Sequence, residues 1–258
     1  MQNIYLGTVA LEKNRWAPGR IPTFQVSEFL ERVRKDGFSG IELWEYHYLS
    51  ADREEQRRLA DAPVEYIFNS YLSLQNGLTD HLKETARAIR ELGAVGVKYN
   101  FGHRKFDSEP GYTEQDYVVQ TETLLRFAEL LPADVKLLCE CHANTLMEYP
   151  ERAGKVFERL DERFGAIIHL KTRRELAEKC FDAYGDRICH IHAANSVEGV
   201  GFCNLEDNGE ELKGNLAYYR SRGFKGSMTV EFTKNADSVE GYYEGAVKDL
   251  AYLKEICK

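Results

Sequence analysis

Apolar positions along this chain switch repeatedly between two periods. Short runs dense in β-branched and aromatic residues read as strands; longer stretches, apolar at every third or fourth position, read as helices. The strand-like runs are IYLGTVA (4–10), SGIELWE (39–45), VEYIFNSYL (64–72), VGVKYNFG (95–102), VKLLCECH (135–142), GAIIHLK (165–171), RICHIHAAN (187–195) and GSMTVEF (226–232). Each is followed by a helical pattern. The first four are FQVSEFLERVRKDG, with Gly37 as its stop, REEQRRLADA, HLKETARAIRELGA, and a long one from about Glu114 to Leu131. The last four are PERAGKVFERL, RRELAEKCFDAYG, LKGNLAYYRSRG, reached through a loop, and SVEGYYEGAVKDLAYLKEIC.

Eight strand-then-helix units in 258 residues have one economical solution. Strands separated by helices pair in parallel through crossovers, and a parallel sheet needs helices over it. The pattern predicts an α/β chain folded as a closed (β/α)8 TIM barrel. No GxGxxG follows the first strand, which argues against a doubly wound nucleotide-binding sheet. No Pro-, Gly- or Ser-rich linker and no low-complexity tract interrupts the chain, so residues 1–258 are expected to form a single domain.

Composition narrows the function. The net charge of −8 argues against nucleic acid, because phosphate binding needs clustered Lys and Arg. No apolar run approaches the ~20 residues that cross a bilayer, and the N-terminus lacks a signal-peptide pattern. Six cysteines without repeated spacing read as reduced thiols, so a cytoplasmic protein is expected. A homo-oligomer is left open.

A barrel places its chemistry at the C-terminal ends of its strands, and the polar residues fall there. Side chains alternate between barrel interior and helix layer. In LLCECH, Cys139 and Cys141 share a face with Leu137, while Glu140 and His142 point the other way; thiols and carboxylate therefore cannot form one site. In MTVEF, Met228, Val230 and Phe232 share the helix-facing side, and Thr229 and Glu231 face inward. Glu140, His169, His192 and Glu231, from strands five to eight, thus converge as a candidate metal set. Two carboxylates with two imidazoles suit Mn, Co, Fe, Ni or Zn rather than a pure Mg- or Ca-type oxygen site. Taken singly, each is as well explained as a hydrogen-bonded strand-end residue; the coincidence of four strands raises the metal reading. His190 shares the parity of His192 one layer deeper, which suits packing or orientation of its neighbour.

Other positions carry weaker signals. Lys171 shares the face of His169 and suits an acid or a group that stabilises developing negative charge, or an outward ion pair. Glu42 and Trp44 share parity on strand two as substrate contacts, Trp44 by stacking of its ring; core packing is the plainer alternative for the aromatic. His103 and Arg104 sit on the loop after strand four, and His142 follows Glu140 as a substrate contact. The loop after strand seven, NSVEGVGFCNLEDNGEE, is too acidic for phosphate.

Across nearly its whole length the chain resembles the xylose-isomerase-like TIM barrel superfamily of sugar isomerases and epimerases. The resemblance rests on GFSGIELWE (37–45), LLCECHANTL (137–146), GDRICHIHAAN (185–195) and GFKGSMTVEF (223–232). It implies that Glu140, His192 and Glu231 take the ligand positions of strands five, seven and eight. Strand six departs: the family usually has Asp and, three residues later, His, where this chain has His169 and Thr172. The Glu and Arg with which the family's ketose 3-epimerases contact substrate fall on Leu146 and Glu198, so that activity is not expected. The resemblance implies a metal-dependent isomerase or epimerase of a sugar, polyol or keto-sugar. Glu140 and Glu231 would be base and acid around a metal-stabilised enediolate. A lyase or dehydratase of a keto-inositol or 3-keto-sugar would use the same residues, and a non-catalytic sugar-binding barrel is the rival from outside enzymology. The superfamily's DNA-repair endonucleases need more ligands and a basic surface.

Overall fold

The computed structural model describes residues 2–102, 113–143 and 145–258. Eight parallel strands close into a barrel: β1 (Ile4–Gly7), β2 (Gly40–Trp44), β3 (Glu65–Asn69), β4 (Gly96–Tyr99), β5 (Lys136–Glu140), β6 (Phe164–His169), β7 (Ile188–Ala193) and, after a small hairpin, β10 (Ser227–Val230). Neighbours in sequence pair throughout, and β1 closes the ring by pairing with both β2 and β10. Crossovers are α1 (Leu30–Asp36), α2 (Glu45–Leu49), α3 (Arg53–Asp61), α4 (Asp80–Leu92), α5 (Glu114–Ala128), α6 (Pro150–Phe157), α7 (Arg174–Tyr184) and α8 (Gly209–Ser221), with α9 (Val239–Ile256) ending the chain. The barrel expected from the two periods is the barrel observed.

Local chemistry sets the helix ends. Asp52, Thr79, Thr113 and Ser238 each accept a backbone N–H at a helix start, and Thr113 with Asp116 forms a reciprocal capping box. Gly37 ends α1 with φ 89°, in the left-handed region that glycine enters without a Cβ clash.

The main apolar core lies between barrel and helices. Leu137, Cys139, Ile191, Met228 and Val230 point into it, as alternation required. A smaller layer, Tyr5, Ile67, Leu138 and Ile167, plugs the lower barrel interior. All six cysteines are unpaired. Among the described residues, no helix is long and apolar enough to cross a membrane.

Three features differ from the sequence reading. The first strand stops at Gly7, and residues Thr8–Leu11 form a 3-10 turn that starts the first loop. The acidic stretch after β7, read as a loop, contains an antiparallel hairpin, β8 (Asn195–Val197) with β9 (Gly201–Cys203). Phe232 lies beyond the end of β10, where the chain has left the pleat. It stacks on Phe202 of the hairpin and lies near Trp16 of the first loop, instead of facing helices.

Asp249 of α9 ties the segment after this hairpin to the body. Its Oδ1 accepts from the Leu205 N–H at 2.8 Å and from Asn204 Nδ2 at 3.0 Å. Burial raises its carboxyl to about 6 against the lowering effect of the Leu205 N–H, Thr233 and Asn204. The folded pKa thus lies above the unfolded one, so this group's contribution is complete below about pH 4 and lost as pH rises through about 6. Asp249→Asn keeps a carbonyl oxygen for the same donors and removes the charge. Its stability advantage over wild type should grow from near zero at pH 4 to about 2–3 kcal/mol at pH 7. Urea unfolding across this range is the check, and a pH-independent difference refutes the assignment.

Candidate metal centre

The mouth of the barrel gathers four donor groups. Each of Glu140, His169, His192 and Glu231 offers one ligand atom, and these atoms all lie within 4.8 Å of one another. Glu140 and His169 end adjacent strands, and Tyr219 of α8 fixes the His169 carbonyl at 3.0 Å. His192 pairs in register with His169 on one side and Thr229 on the other. Glu231 follows β10, its N–H bonded to the Ala193 carbonyl at 3.0 Å.

His192 is oriented from below. Its Nε2 lies 3.1 Å from Glu42 Oε2, which also accepts from Thr229 Oγ1 at 2.7 Å. Glu42 Oε1 accepts from Asn69 Nδ2 at 2.7 Å. His190 completes this layer, its Nε2 2.9 Å from Thr229 Oγ1 and its Nδ1 2.7 Å from Ser227 Oγ. With its Nε2 proton directed at Glu42, His192 turns Nδ1 upward to 3.4 Å from both Glu140 Oε1 and Glu231 Oε1. Among the described residues, the buried His192 Nδ1 and Glu231 Oε2 find no hydrogen-bond partner. A lone pair facing two carboxylates requires positive charge between them, which a proton or a cation supplies. Burial opposes a charged imidazole here, yet Glu42 and Glu231, with Glu140, push the His192 pKa well above its ordinary value. Two carboxylates, two imidazoles and two unpartnered atoms fit a divalent transition ion.

Glu140 differs from Glu231 in its partners. Its Oε1 meets His169 Nε2 at 2.9 Å, while Oε2 meets Lys98 Nζ at 2.8 Å and Asn100 Nδ2 at 3.1 Å. Burial would raise the Glu140 carboxyl, but Lys98, His169 and His192 hold it well below the usual carboxylate range.

The other residues singled out in the sequence are placed as follows. Glu42, read there as a substrate contact, is fully buried with both oxygens bonded, so it orients His192 and has no surface for a ligand. Trp44 is also fully buried, its ring against Tyr46 and His47, and offers no open face for stacking. Lys171 hydrogen-bonds the Ser196 carbonyl of the hairpin instead of pairing with either carboxylate of the cluster. His142 is half-buried beside the donors, its ring centroid 5.7 Å from that of His169. His103 and Arg104 lie outside the described residues. Leu146 is buried in the core and Glu198 is exposed, so neither supplies a ketose 3-epimerase contact.

Lys98 escaped the sequence reading. The signal was present: in GVKYN, parity sets Lys98 and Asn100 opposite the core-facing Val97 and Tyr99. A lysine inside a barrel strand needs a buried partner. The pairing of Glu42 with His192 was equally hidden, since parity tells which residues face inward but not which wall they reach.

Glu42→Gln tests the orientation of His192. The amide halves the acceptor capacity and removes the charge beneath the ring, so affinity for Co2+ is expected to fall 10- to 100-fold. Competition with a chromophoric chelator measures it, and an unchanged affinity removes Glu42 from the centre.

By sequence the chain matches no family model and no curated protein. Solved structures do share its architecture. One is the 3-keto-D-glucoside 4-epimerase of E. coli, 14% identical, with 99% of this chain and 100% of that one aligned at a TM-score of 0.63. A second is the probable 3-DHS dehydratase AsbF of Bacillus anthracis, 14% identical over 98% and 99% of the chains, at 0.68. A third is the IOLI protein with a binding zinc atom, 14% identical over 100% and 96%, at 0.64. At such identity the likeness is one of fold, the closed (β/α)8 barrel, which is shared also by a xylose isomerase-like TIM barrel protein from Mycobacterium smegmatis.

Proposed function

We propose that the chain is a metal-dependent enzyme that isomerises or epimerises a sugar, polyol or keto-sugar by removing a proton from a carbon next to a carbonyl. The observation behind this reading is the convergence of Glu140, His169, His192 and Glu231 with two buried, unpartnered donor atoms among them. These four residues would hold one ion of Mn, Co, Fe, Ni or Zn. When bound, such an ion supplies Lewis-acid polarisation of the carbonyl and offsets the charge that develops as the proton leaves.

The chain's own groups handle the proton. Glu231 Oε2, without a hydrogen-bond partner among the described residues, is the oxygen we assign as the base. Glu140, across the mouth and held by Lys98 and Asn100, faces the other side of the reacting carbon. Proton return at the same carbon from the opposite face, the Glu140 side, gives epimerisation, and return at the neighbouring carbon gives isomerisation. Lys171, tied to the hairpin carbonyl, supports the loop in this reading rather than the chemistry. A second reading, dehydration, draws on His142, a half-buried imidazole beside His169 positioned to protonate a departing β-hydroxyl. Both an epimerase and a dehydratase are among the structures of this fold.

A panel of keto-sugars and polyols incubated with metal-loaded protein in deuterated water tests the reading. Metal-dependent deuterium uptake next to a carbonyl is expected, and product analysis then separates the two reactions. Uptake by no member of the panel, with the ion bound, sinks the catalytic assignment and leaves a binding barrel.

A further inference from the structure

Lys98 stands out among the buried charges because it adds positive charge next to a centre built to receive a cation. It projects from β4 into the barrel and is only 3% exposed. Its ammonium is satisfied on three sides: Glu140 Oε2 at 2.8 Å, Asn100 Oδ1 at 3.2 Å, and the face of Tyr71, 4.9 Å from the ring centroid. A buried ammonium persists only when paired this well. Its partner is a donor of the four-residue cluster, and the two Glu140 oxygens are thereby divided. Oε2 is taken by Lys98 and Asn100, and Oε1 alone faces His169 and His192.

We propose that Lys98 is a positioning residue of the metal centre: a fixed counter-charge that restricts Glu140 to ligation through one oxygen and reduces the net negative charge around the donor set. The inference rests on the metal-centre reading above and deepens it. Two anionic carboxylates with neutral imidazoles carry a charge of −2, and Lys98 brings the sum over the four donors and itself to −1, with the Glu42 carboxylate beneath His192 counted separately. A centre of that charge, with imidazole at the strand-six position, depends on nitrogen ligation for its affinity. It therefore favours imidazole-binding transition ions over Mg2+ or Ca2+. A cation repels an ammonium a few ångströms away even at surface-like screening, so the lysine also weakens binding of every divalent ion.

Co2+ is the probe, because its visible absorption reports coordination number independently of turnover. Metal-free wild type, Lys98→Met and Lys98→Arg, all full length, are titrated with Co2+ against a chromophoric chelator. Lys98→Met is expected to bind Co2+ at least tenfold more tightly. Its visible bands should weaken as the second Glu140 oxygen becomes available and the coordination number rises. Lys98→Arg, which keeps the charge, should stay within about threefold of wild type. Discrimination between Co2+ and Mg2+ should narrow in Lys98→Met. Equal affinity and superimposable spectra for Lys98→Met and wild type overturn the proposal while leaving the metal centre standing. Failure of wild type itself to bind Co2+ overturns both. If the methionine variant does not fold, Lys98→Gln carries the same affinity test, and an unchanged or weakened Kd in it counts against the proposal.

Discussion

Replacing Glu231 by glutamine is expected to lower solvent-proton exchange into substrate by about 10³-fold while leaving the fold intact. The amide preserves the volume and one oxygen of the side chain, so the neighbouring His192 and the end of β10 keep their surroundings. What it removes is the basic lone pair on Oε2, the oxygen left without a partner at the barrel mouth. Glu140 does not substitute for it, because both of its oxygens are engaged, one by His169 and the other by Lys98 and Asn100. Mass spectrometry of recovered substrate after incubation in deuterated water measures the rate, with Co2+ affinity followed in parallel to separate loss of base from loss of ion. A variant within tenfold of wild type would show that the proton goes elsewhere.

Chelation is the second large effect. Stripping the protein of divalent ions should abolish exchange and lower Tm by on the order of 10 °C, with recovery on adding Zn2+, Mn2+ or Co2+. The thermal effect follows from linkage: an ion present at a thousandfold its Kd stabilises the folded state by about 4 kcal/mol. In a chain of this size that corresponds to about 2–4 °C per kcal/mol. The cluster also explains why the gain should be large, since His192 Nδ1 sits 3.4 Å from each of two carboxylates, and among the described residues the Lys98 ammonium ion-pairs with Glu140 alone of the two. Scanning calorimetry with and without chelator decides it; an unmoved Tm after ion replacement would mean that the four groups hold no metal.

The barrel was readable because each element states its period in its own residues. In LLCECH and MTVEF, two-residue alternation separates Cys139 from Glu140 and Val230 from Glu231, and the structure puts the first of each pair in the outer core. The four donors could be brought together by the same argument, since strand order and parity fix both height and direction. What escaped required knowledge across the ring. Glu42 and His192 are 150 residues apart and meet on facing walls, and no local pattern records which inward residues touch. The hairpin of 195–203 escaped for another reason: NSVEGVGFC is polar, rich in glycine and short, so its alternation is too weak to distinguish from a loop. For Trp44, parity left stacking on a ligand and core packing both open, and the structure takes the second: the ring is fully buried against Tyr46 and His47 of α2.

The polar thread running from Ser227 through His190, Thr229 and Glu42 to His192 lies wholly on barrel strands, below the level of any loop. Loop lengths and sequences can therefore drift, or be randomised in a library, without altering which nitrogen of His192 points at the mouth. Selection for a new substrate on this scaffold would begin with a correctly aimed ligand already in place.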